Sequence, residues 1–216
     1  MTTTSEHAAR MDAKYRRVRH VYDLTRKYFL FGRDHALELL DAPSASSILE
    51  IGCGTGRNLR SIAKSAPGAE VHGLDISEEM LKSAAAKTGS LKNVTLRQGD
   101  ATTLDSERLF GTRNYDAVLM SYSLSMVPDW KSALAKAIKA VGPGGRLVIV
   151  DFGRFEGYGR VGPKIVDALA MADAPPLPDL KGAVTRAISG RNHLRATFGQ
   201  SKRGYYVWAV VERAER

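Results

Sequence analysis

A glycine-rich turn between a predicted strand and a predicted helix is the feature of this sequence that most clearly indicates chemistry. Residues 48–51 are apolar apart from Glu50, and Gly52, Gly54 and Gly56 follow at alternate positions before a helical segment. Such a turn presents bare backbone N–H groups at a helix N-terminus, at the carboxyl edge of a sheet, where open α/β sheets bind ligands. Because glycine has no Cβ atom, the loop can approach a ligand closely. The sequence therefore predicts a small-molecule site at this turn.

The spacing of the glycines disfavours two common classes of nucleotide site. The dinucleotide fingerprint has its third glycine three positions after the second, where this chain has Arg57. No Lys-Ser or Lys-Thr pair follows the glycines, as a nucleoside-triphosphate P-loop requires. A nicotinamide cofactor and a nucleoside triphosphate are therefore not expected.

The run acidic-x-Gly-x-Gly-x-Gly resembles the first motif of class I S-adenosylmethionine-dependent methyltransferases. Asp75 ends the second predicted strand, and Gly99-Asp100-Ala101 follows the third. Residues 114–120 are similar to the fourth-strand motif of this family, and the Gly-Pro-Gly-Gly run at 142–145 to the turn before its fifth strand. The resemblance implies that Asp75 accepts hydrogen bonds from the ribose hydroxyls and that Asp100 and a backbone amide bind the adenine. It assigns the S-adenosylmethionine site to Glu50, Gly52, Gly54, Gly56, Asn58, Asp75, Ile76, Met80, Asp100, Ala101, Thr102 and Ser121.

The loop at residues 121–130 follows the fourth predicted strand, where an acceptor meets the cofactor in this family. It lacks the Asn/Asp-Pro-Pro-Tyr/Phe run of many methylases of bases and glutamine amides, which weakens a nucleic-acid base as the acceptor. Tyr122 can hydrogen-bond an amine or stack on its methylated form. The alternative is that Tyr122 only packs beneath a lid.

The N-terminal segment at residues 15–34 resembles that of the N-methyltransferases that convert diacylglycerylhomoserine into betaine lipid. Bacterial phosphatidylethanolamine N-methyltransferases share a shorter pattern, present here as Tyr22-Asp23 and Phe31-Gly32. The resemblance implies an N-terminal helix that covers the cofactor and a lipid amine as the acceptor. It makes Tyr22, Tyr122 and Tyr15 candidate catalytic residues, and places Tyr28, Arg19, Arg26, Lys27 and Arg33 at the substrate or the membrane.

The charge of the chain supports a membrane surface as a partner without proving it. Lys and Arg exceed Asp and Glu by nine, and apolar or aromatic residues recur every three or four positions from about residue 7 to residue 31. A basic amphipathic helix of this kind binds anionic bilayers, and a bidentate arginine could hold a headgroup carboxylate or phosphate. An ordinary surface helix remains an alternative. An RNA methyltransferase and a non-catalytic protein that binds partners through this helix are the competing classes, and no nucleic-acid partner is expected.

Alternating strands and helices predict an α/β fold with a doubly wound, mostly parallel sheet and a C-terminal antiparallel hairpin. We expect strands at 47–51, 70–74, 94–98, 115–120 and 146–151, and a hairpin from 194–198 and 205–211. Helices are expected at 35–40, 58–65, 77–87, 130–140 and 163–172. We expect residues 1–40 to form a helical lid and residues 41–216 to form the cofactor-binding domain.

The composition limits the remaining possibilities. Cys53 is the only cysteine among the 216 residues, so an intrachain disulfide is excluded and a multi-cysteine metal site is not possible. The five histidines have no metal-ligand spacing, so we expect no metal. The sequence has no apolar run of membrane-spanning length and no visible export signal. We therefore expect a cytoplasmic protein associated peripherally with the inner face of the membrane.

Overall fold

The computed structural model describes residues 30–215. Within this part of the chain, the strands are β1 (Ser47–Ile51), β2 (Glu70–Asp75), β3 (Val94–Gln98), β4 (Tyr115–Ser121), β5 (Val141–Phe152), β6 (Leu194–Gln200) and β7 (Tyr206–Arg213). The helices are α1 (Gly32–Leu40), α2 (Arg57–Ser65), α3 (Glu78–Thr88), α4 (Ser106–Phe110), α5 (Trp130–Ala140), α6 (Gly162–Met171) and α7 (Leu180–Ile188).

All the strands form one sheet in the order β3-β2-β1-β4-β5-β7-β6. β1 to β5 are parallel, and β7 lies antiparallel to both β5 and β6. The order reverses at β1, whose Ile48 pairs with Val71 of β2 on one side and Ala117 of β4 on the other. Ligands of open α/β sheets bind at the carboxyl ends of the strands next to such a reversal. The topology therefore places the glycine-rich turn after β1 at the expected ligand site.

Both faces of the sheet are covered by helices. Leu49 and Ile51 of β1 face the core formed with α5 and α7, whereas Ile48 faces the core formed with α1 and α2. The period-2 alternation of a strand places Glu50 on the second face, between the sheet and α2. Burial on both faces explains why the parallel strands are almost continuously apolar.

The predicted fold class is confirmed, and the differences are local. α1 begins at Gly32 rather than at residue 35. β5 begins at Val141, which pairs with Tyr115 of β4, and the Gly-Pro-Gly-Gly run forms an irregularity before Arg146 pairs with Ala117. Two helices, α4 and α7, have no counterpart in the sequence-based expectation. The glycine-rich stretch after β5 contains a 3₁₀ helix at Glu156–Val161.

α1 packs directly on the sheet. Ala36 and Leu40 are fully buried in the core that α1 shares with β4 and β5. The end of the predicted lid, residues 32–40, is thus attached to the cofactor-binding domain. The boundary at residue 40 and a lid formed by the earlier residues stay predictions, since residues 1–29 lie outside the described part of the chain.

Candidate cofactor and acceptor site

The glycine-rich turn is held against the end of β2 by its own backbone. The N–H groups of Gly52 and Cys53 donate to the Leu74 carbonyl at 2.8 and 3.0 Å. Gly52 has a φ of +74°, and a Cβ atom there would lie 2.4 Å from Cβ of Ser123. Glycine is therefore required at this position both by the backbone conformation and by the loop that follows β4.

A cleft of about 660 Å³ opens beside the turn, at the carboxyl ends of β1, β2 and β4. The described residues that line it include the predicted cofactor residues Gly52, Gly54, Asp75, Ile76, Met80, Asp100 and Ala101. Apolar side chains from the loop after β4, Met126 and Val127, form the opposite wall. Such a cleft suits a nucleoside with a flat apolar base.

Asp75 connects two parts of the cleft. Its Oδ2 accepts a hydrogen bond from the Gly54 N–H at 2.7 Å, and its Oδ1 accepts one from the Ser77 N–H at 2.9 Å. Each carboxylate oxygen has more than one acceptor position, so ribose hydroxyls can still be bound while the turn is held. Asp75 is therefore both a ligand-binding candidate and a support for the glycine-rich turn.

Asp100 is oriented by the residue two positions later. Its Oδ1 accepts hydrogen bonds from the N–H and the Oγ1–H of Thr102, both at 2.8 Å. Ala101 lines the cleft, whereas Thr102 does not. The structure therefore places Thr102 behind Asp100, as a residue that fixes the carboxylate of a cleft residue.

A second, polar cavity of about 360 Å³ adjoins the glycine-rich turn. Glu50 is buried there, and its Oε1 accepts a hydrogen bond from Asn58 Nδ2 at 2.8 Å. Burial, partly offset by Asn58 and Arg33, raises the pKa of Glu50 to about 8. Arg33 of α1 and Arg57 of α2 also line this cavity.

Two buried oxygens in this cavity indicate what it can hold. Among residues 30–215, Glu50 Oε2 and Ser121 Oγ have no hydrogen-bond partner. Buried polar atoms normally have partners, so each unsatisfied one needs an explanation. An amino-acid group fits, because its ammonium can donate to Glu50 and Ser121 while an arginine binds its carboxylate. The polar cavity and the cleft together therefore fit S-adenosylmethionine, with the nucleoside in the cleft and the amino-acid end beside Glu50.

The structure places Gly56 outside both cavities and Arg33 in the polar cavity. Gly56 lines neither cavity; a Cβ atom there would lie 3.0 Å from Cα of Ala84, so this glycine lets α2 approach α3. Arg33, assigned from the sequence to the substrate or the membrane, lies in the polar cavity with Glu50. A guanidinium in this cavity can bind the carboxylate of an amino-acid group.

Tyr122 lies at the boundary between the cleft and a group of aromatic rings. It lines the cleft, adopts a φ of +53°, and its hydroxyl oxygen accepts a hydrogen bond from the Gly32 N–H at 3.2 Å. Burial raises the pKa of Tyr122 far above its usual range, so its hydroxyl keeps the proton. Tyr122 can therefore position a neighbouring group but cannot act as a general base near neutral pH.

The aromatic rings form a continuous wall at the ends of β4, β5 and β7. The ring centroid of Phe152 lies 4.8 Å from that of Tyr122 and 6.5 Å from that of Tyr205. Phe31 and Phe155 lie 5.2 and 5.0 Å from Tyr205, edge to face. We call these five residues the aromatic wall. Tyr122 is the member of the wall that lines the cleft, and Phe152 and Phe155 are buried behind it.

Asp151, at the end of β5, is a site-forming residue that the sequence analysis missed. It is fully buried, and its carboxylate accepts hydrogen bonds from the Ser125 N–H at 2.9 Å and the Ser125 Oγ–H at 2.7 Å. Ser123 supports the same loop by donating its Oγ–H to the Ile51 carbonyl at 2.9 Å. The sequence signal that could have identified Asp151 is a carboxylate at the end of an apolar strand, the same signal that identified Asp75.

Some of the sequence-based expectations concern residues outside the described part of the chain. Six predicted residues, Tyr15, Arg19, Tyr22, Arg26, Lys27 and Tyr28, lie outside the described residues, and their roles stay predictions.

Within residues 30–215 there is no group of three or more side chains that could hold a metal ion. Cys53 is buried and its pKa is raised by burial, while His72 hydrogen-bonds the Tyr115 hydroxyl at 2.9 Å. No helix among the described residues is long and apolar enough to span a membrane.

We expect Gly54→Ala to abolish cofactor binding with only a small loss of stability. Gly54 has a φ of +54°, and no atom lies within 4 Å of a Cβ built there, so the folded protein loses about 1–2 kcal/mol from the backbone conformation alone. The added methyl group lies at the cleft and tilts the N–H that Asp75 holds. Isothermal calorimetry with S-adenosylhomocysteine measures the effect.

Gly111→Ala is the matched control for this prediction. Gly111 has a φ of +75° and equally open surroundings, but it ends α4, away from both cavities. The two variants should lose similar stability, and only Gly54→Ala should lose binding. Equal affinities for the cofactor product in both variants would contradict the assigned site.

Comparison with known proteins agrees with this geometry. Residues 49–147 match a family model described as "Methyltransferase domain". A demethylmenaquinone methyltransferase of Tropheryma whipplei (strain Twist) is 31% identical over 159 residues, which cover 70% of this chain and 63% of that protein. One from Bacillus licheniformis is 32% identical over 128 residues, covering 59% of this chain and 53% of that protein. The chain thus spans somewhat less than two thirds of the length of these relatives.

Solved structures share the fold at low sequence identity. The plantazolicin methyltransferase BpumL, in complex with a substrate analog and SAH, superimposes with a TM-score of 0.74 at 18% identity, covering 98% of this chain and 96% of that one. A possible histamine N-methyltransferase from Thermotoga maritima gives 0.67 at 19% identity, covering 92% and 98%. The matched residues run from β1 to β5 and include the glycine-rich turn, Asp75 and Asp100. Residues 49–147 of this chain are therefore similar to a methyltransferase domain, in the fold that methyltransferases of known structure share.

Proposed function

We propose that this protein is an S-adenosylmethionine-dependent N-methyltransferase whose acceptor is the amine of a membrane-lipid headgroup. The first choice is diacylglycerylhomoserine, converted by successive methylations into diacylglyceryl-N,N,N-trimethylhomoserine; phosphatidylethanolamine is the alternative. The observation that carries the amine is the aromatic wall beside the cleft, since aromatic faces bind methylated ammonium groups. The resemblance of residues 15–34 to the betaine-lipid enzymes supports the lipid.

The chemistry of an amine acceptor places few demands on the protein. When bound, S-adenosylmethionine supplies an electrophilic methyl carbon on a sulfonium sulfur. The amine lone pair forms the new C–N bond as the C–S bond breaks, and water takes the proton released in the first two methylations. Among the described residues, those lining the cleft and the polar cavity include no histidine, and their carboxylates are Glu50, Asp75 and Asp100 on the cofactor side. This arrangement suits an acceptor that needs orientation rather than a general base.

Each group of residues has a distinct task in this proposal. Glu50, Ser121 and Arg33 hold the amino-acid end of the cofactor, and Asp75 and Asp100 hold its nucleoside. Asp151 fixes the loop after β4 through Ser125, which keeps Met126 and Val127 over the cleft and excludes water. Tyr122 faces the acceptor, and Phe152 packs behind it. The in-line approach of amine and methyl carbon then supplies most of the rate enhancement.

The exposed surface near the aromatic wall supports contact with a membrane. Phe31, Val161 and Met171 are the large apolar side chains of the described residues that are most exposed, at 65%, 57% and 82%. Val161 precedes α6 and Met171 ends it. Phe31 packs against Tyr205, whose ring centroid lies 6.3 Å from that of Tyr158 in the 3₁₀ helix before α6. The exposed basic residues Arg154, Arg160 and Lys164 lie on the same segment. Exposed apolar side chains with nearby cations are typical of surfaces that lie on anionic bilayers.

A second candidate function is C-methylation of a demethylmenaquinone-type acceptor. The relatives with 31% and 32% identity are named demethylmenaquinone methyltransferases, and this observation favours the candidate. Methylation of a ring carbon requires removal of a proton from the acceptor. That reaction would therefore need a base that the described walls of the two cavities do not supply.

Transfer of a labelled methyl group separates these acceptors. Purified protein and labelled S-adenosylmethionine are incubated with diacylglycerylhomoserine, phosphatidylethanolamine, a reduced demethylmenaquinone and total RNA in separate reactions. Labelling of the homoserine lipid supports the proposal. Labelling of phosphatidylethanolamine alone replaces the acceptor, and labelling of the quinone or RNA alone overturns amine methylation of a lipid.

We expect Tyr122→Phe to lower turnover about tenfold or more while the affinity for the cofactor changes little. The variant removes the hydroxyl that accepts the Gly32 N–H and faces the acceptor, but leaves the ring that packs on Phe152. Steady-state kinetics and calorimetry measure the two quantities separately. Tyr115→Phe is the control, because it removes a buried hydroxyl, bonded to His72, that lines neither cavity. Wild-type turnover in Tyr122→Phe would remove this hydroxyl from the mechanism.

A further inference from the structure

A groove of about 870 Å³ lies at the same edge of the sheet as the cofactor cleft, but beyond β5. The end of β5, the start of β7 and the end of β6 form one side of it, and residues 177–181 form the other. We call it the β7 groove. Its apolar lining residues are Phe152, Leu177, Leu180, Phe198, Val207 and Trp208.

The β7 groove and the cofactor cleft are separated by a thin aromatic partition. Phe152 lines the groove, and its ring packs at 4.8 Å on the ring of Tyr122, which lines the cleft. A molecule whose reacting atom lies against Tyr122 therefore needs to pass only these rings to enter the groove. Phe152 is thus shared by the groove and the aromatic wall, so the groove begins one ring away from Tyr122.

The charges at the rim of the groove balance. Arg154 and Lys181 are matched by Glu156 and Asp179. Asp179 is already paired with Arg186 at 3.2 Å, and Lys181 Nζ lies 5.9 Å from the centroid of the Phe198 ring. A rim without excess charge does not select for an ionic headgroup. The apolar lining instead suits a neutral hydrocarbon chain.

We propose that the β7 groove binds the hydrocarbon chain of the methyl acceptor and sets its preferred chain length. This inference rests on the proposed function, because a lipid acceptor with its amine at Tyr122 has a chain that must leave the aromatic wall. Burial of a methylene group strengthens binding about fourfold, so affinity should rise with chain length until the groove is filled. This role accounts for the β7 groove that the protein keeps open between α7 and the β6–β7 hairpin.

Fluorescence of Trp208 provides a test that does not depend on catalysis. The chain has two tryptophans, so Trp130→Phe leaves Trp208 as the only one. The full chain with this substitution is titrated with n-alkylamines of increasing length that carry bromine on the chain. We expect quenching of Trp208 at concentrations that fall about fourfold per methylene. The complementary Trp208→Phe chain, which reports from Trp130, should show little quenching.

Two groove variants locate the binding of the chain. Gln200→Arg places a charged side chain over the groove from an exposed position, and Phe198→Ser removes part of its apolar lining. Both should weaken the quenching and lower kcat/KM for long-chain acceptors by tenfold or more, with short-chain acceptors little affected. Phe110→Ser is the matched control, since this half-buried ring stacks on His72 and lines neither the groove nor the cleft.

The outcomes separate this inference from the proposed function. Lipid methylation with the same chain-length dependence in wild type, Gln200→Arg and Phe198→Ser would overturn the groove assignment and leave the function standing. Absence of lipid methylation together with groove-dependent quenching would overturn both the lipid acceptor and the inference as stated, and would assign the groove to another apolar ligand. Loss of chain-length dependence in the two groove variants, but not in Phe110→Ser, supports the assignment.

Discussion

Asp75→Ala is expected to reduce the affinity for S-adenosylmethionine by at least about a hundredfold. The carboxylate holds the Gly54 N–H at 2.7 Å and the Ser77 N–H at 2.9 Å, so its removal releases the glycine-rich turn. The same carboxylate is the assigned acceptor for the ribose hydroxyls, and hydrogen bonds to a charged group contribute about 1.5–3 kcal/mol each. Calorimetry with S-adenosylmethionine and S-adenosylhomocysteine should therefore detect no binding at concentrations that saturate the wild type.

Asp116→Ala separates loss of the ligand contact from loss of a backbone support. Asp116 Oδ2 accepts hydrogen bonds from the Ser46 and Ser47 N–H groups at 2.8 and 3.0 Å, at the opposite edge of the sheet. Both aspartates thus fix two backbone amides, but only Asp75 lines the cleft. We expect Asp116→Ala to lower stability and to keep the affinity for the cofactor. Wild-type affinity in Asp75→Ala would refute the assigned orientation of the nucleoside.

The strands and the cofactor cleft could be predicted because they depend on local patterns. Val94–Gln98 and Trp130–Ala140 have the expected bounds. Apolar residues alternate with polar ones at the start of the strand, and Asp129 caps the helix by accepting the Ser132 N–H. Motif order then placed Asp75 and Asp100 at one edge of a parallel sheet. For these elements, local sequence and the parallel topology were sufficient.

α7 was missed although the sequence carries its signals. Asp179 caps the helix by accepting the Gly182 N–H at 2.8 Å, and Leu180, Ala183 and Val184 have the spacing of a buried face. Gly182 and the β-branched residues have low helix propensity, and the prolines at 175, 176 and 178 disfavour a helix just before them. Packing of α7 against β6 and β7 outweighs this weak propensity.

The polar cavity could not be derived from local patterns because distant segments form it. Arg33 comes from α1, Glu50 from β1 and Ser121 from β4, and only the fold brings them together. The sequence assigned Arg33 to the acceptor because arginine binds carboxylates in lipids and in amino acids equally well. Its place in one cavity with Glu50 favours the amino-acid end of the cofactor as its partner.

Glu50→Gln is expected to remove a large pH dependence of stability. The pKa of Glu50 is about 8 in the folded protein and 4.5 without burial, so the folded state holds one more proton than the unfolded chain between these values. The free energy of unfolding therefore falls as the pH rises through this window, by about 1.4 kcal/mol per pH unit. The contribution of Glu50 is complete below about pH 4.5 and is lost above about pH 8. Urea unfolding at intervals from pH 5 to pH 9 measures it.

The difference between wild type and Glu50→Gln isolates this residue from other titrating groups. The amide keeps an oxygen that can accept the Asn58 hydrogen bond but cannot ionise, so the variant should gain stability relative to wild type as the pH rises. Glu38→Gln is the control, because Glu38 is an exposed glutamate of α1 whose carboxylate stays in water. We expect the unfolding free energy of this control to parallel that of wild type. A difference between wild type and Glu50→Gln that does not change with pH would contradict the burial of an ionisable Glu50.

Cofactor binding should release the proton that Glu50 holds in the free protein. If the ammonium of the cofactor's amino-acid end binds Glu50 Oε2, the bound state requires the ionised carboxylate, so binding below pH 8 must release a proton. The affinity of wild type should then rise with pH between about 6 and 8, and the measured heat should differ between buffers with different ionisation enthalpies. Glu50→Gln should bind more weakly and show a smaller dependence on the buffer. Equal proton release in both proteins would mean that the amino-acid end lies elsewhere, because Glu50 is the only described carboxylate in the polar cavity.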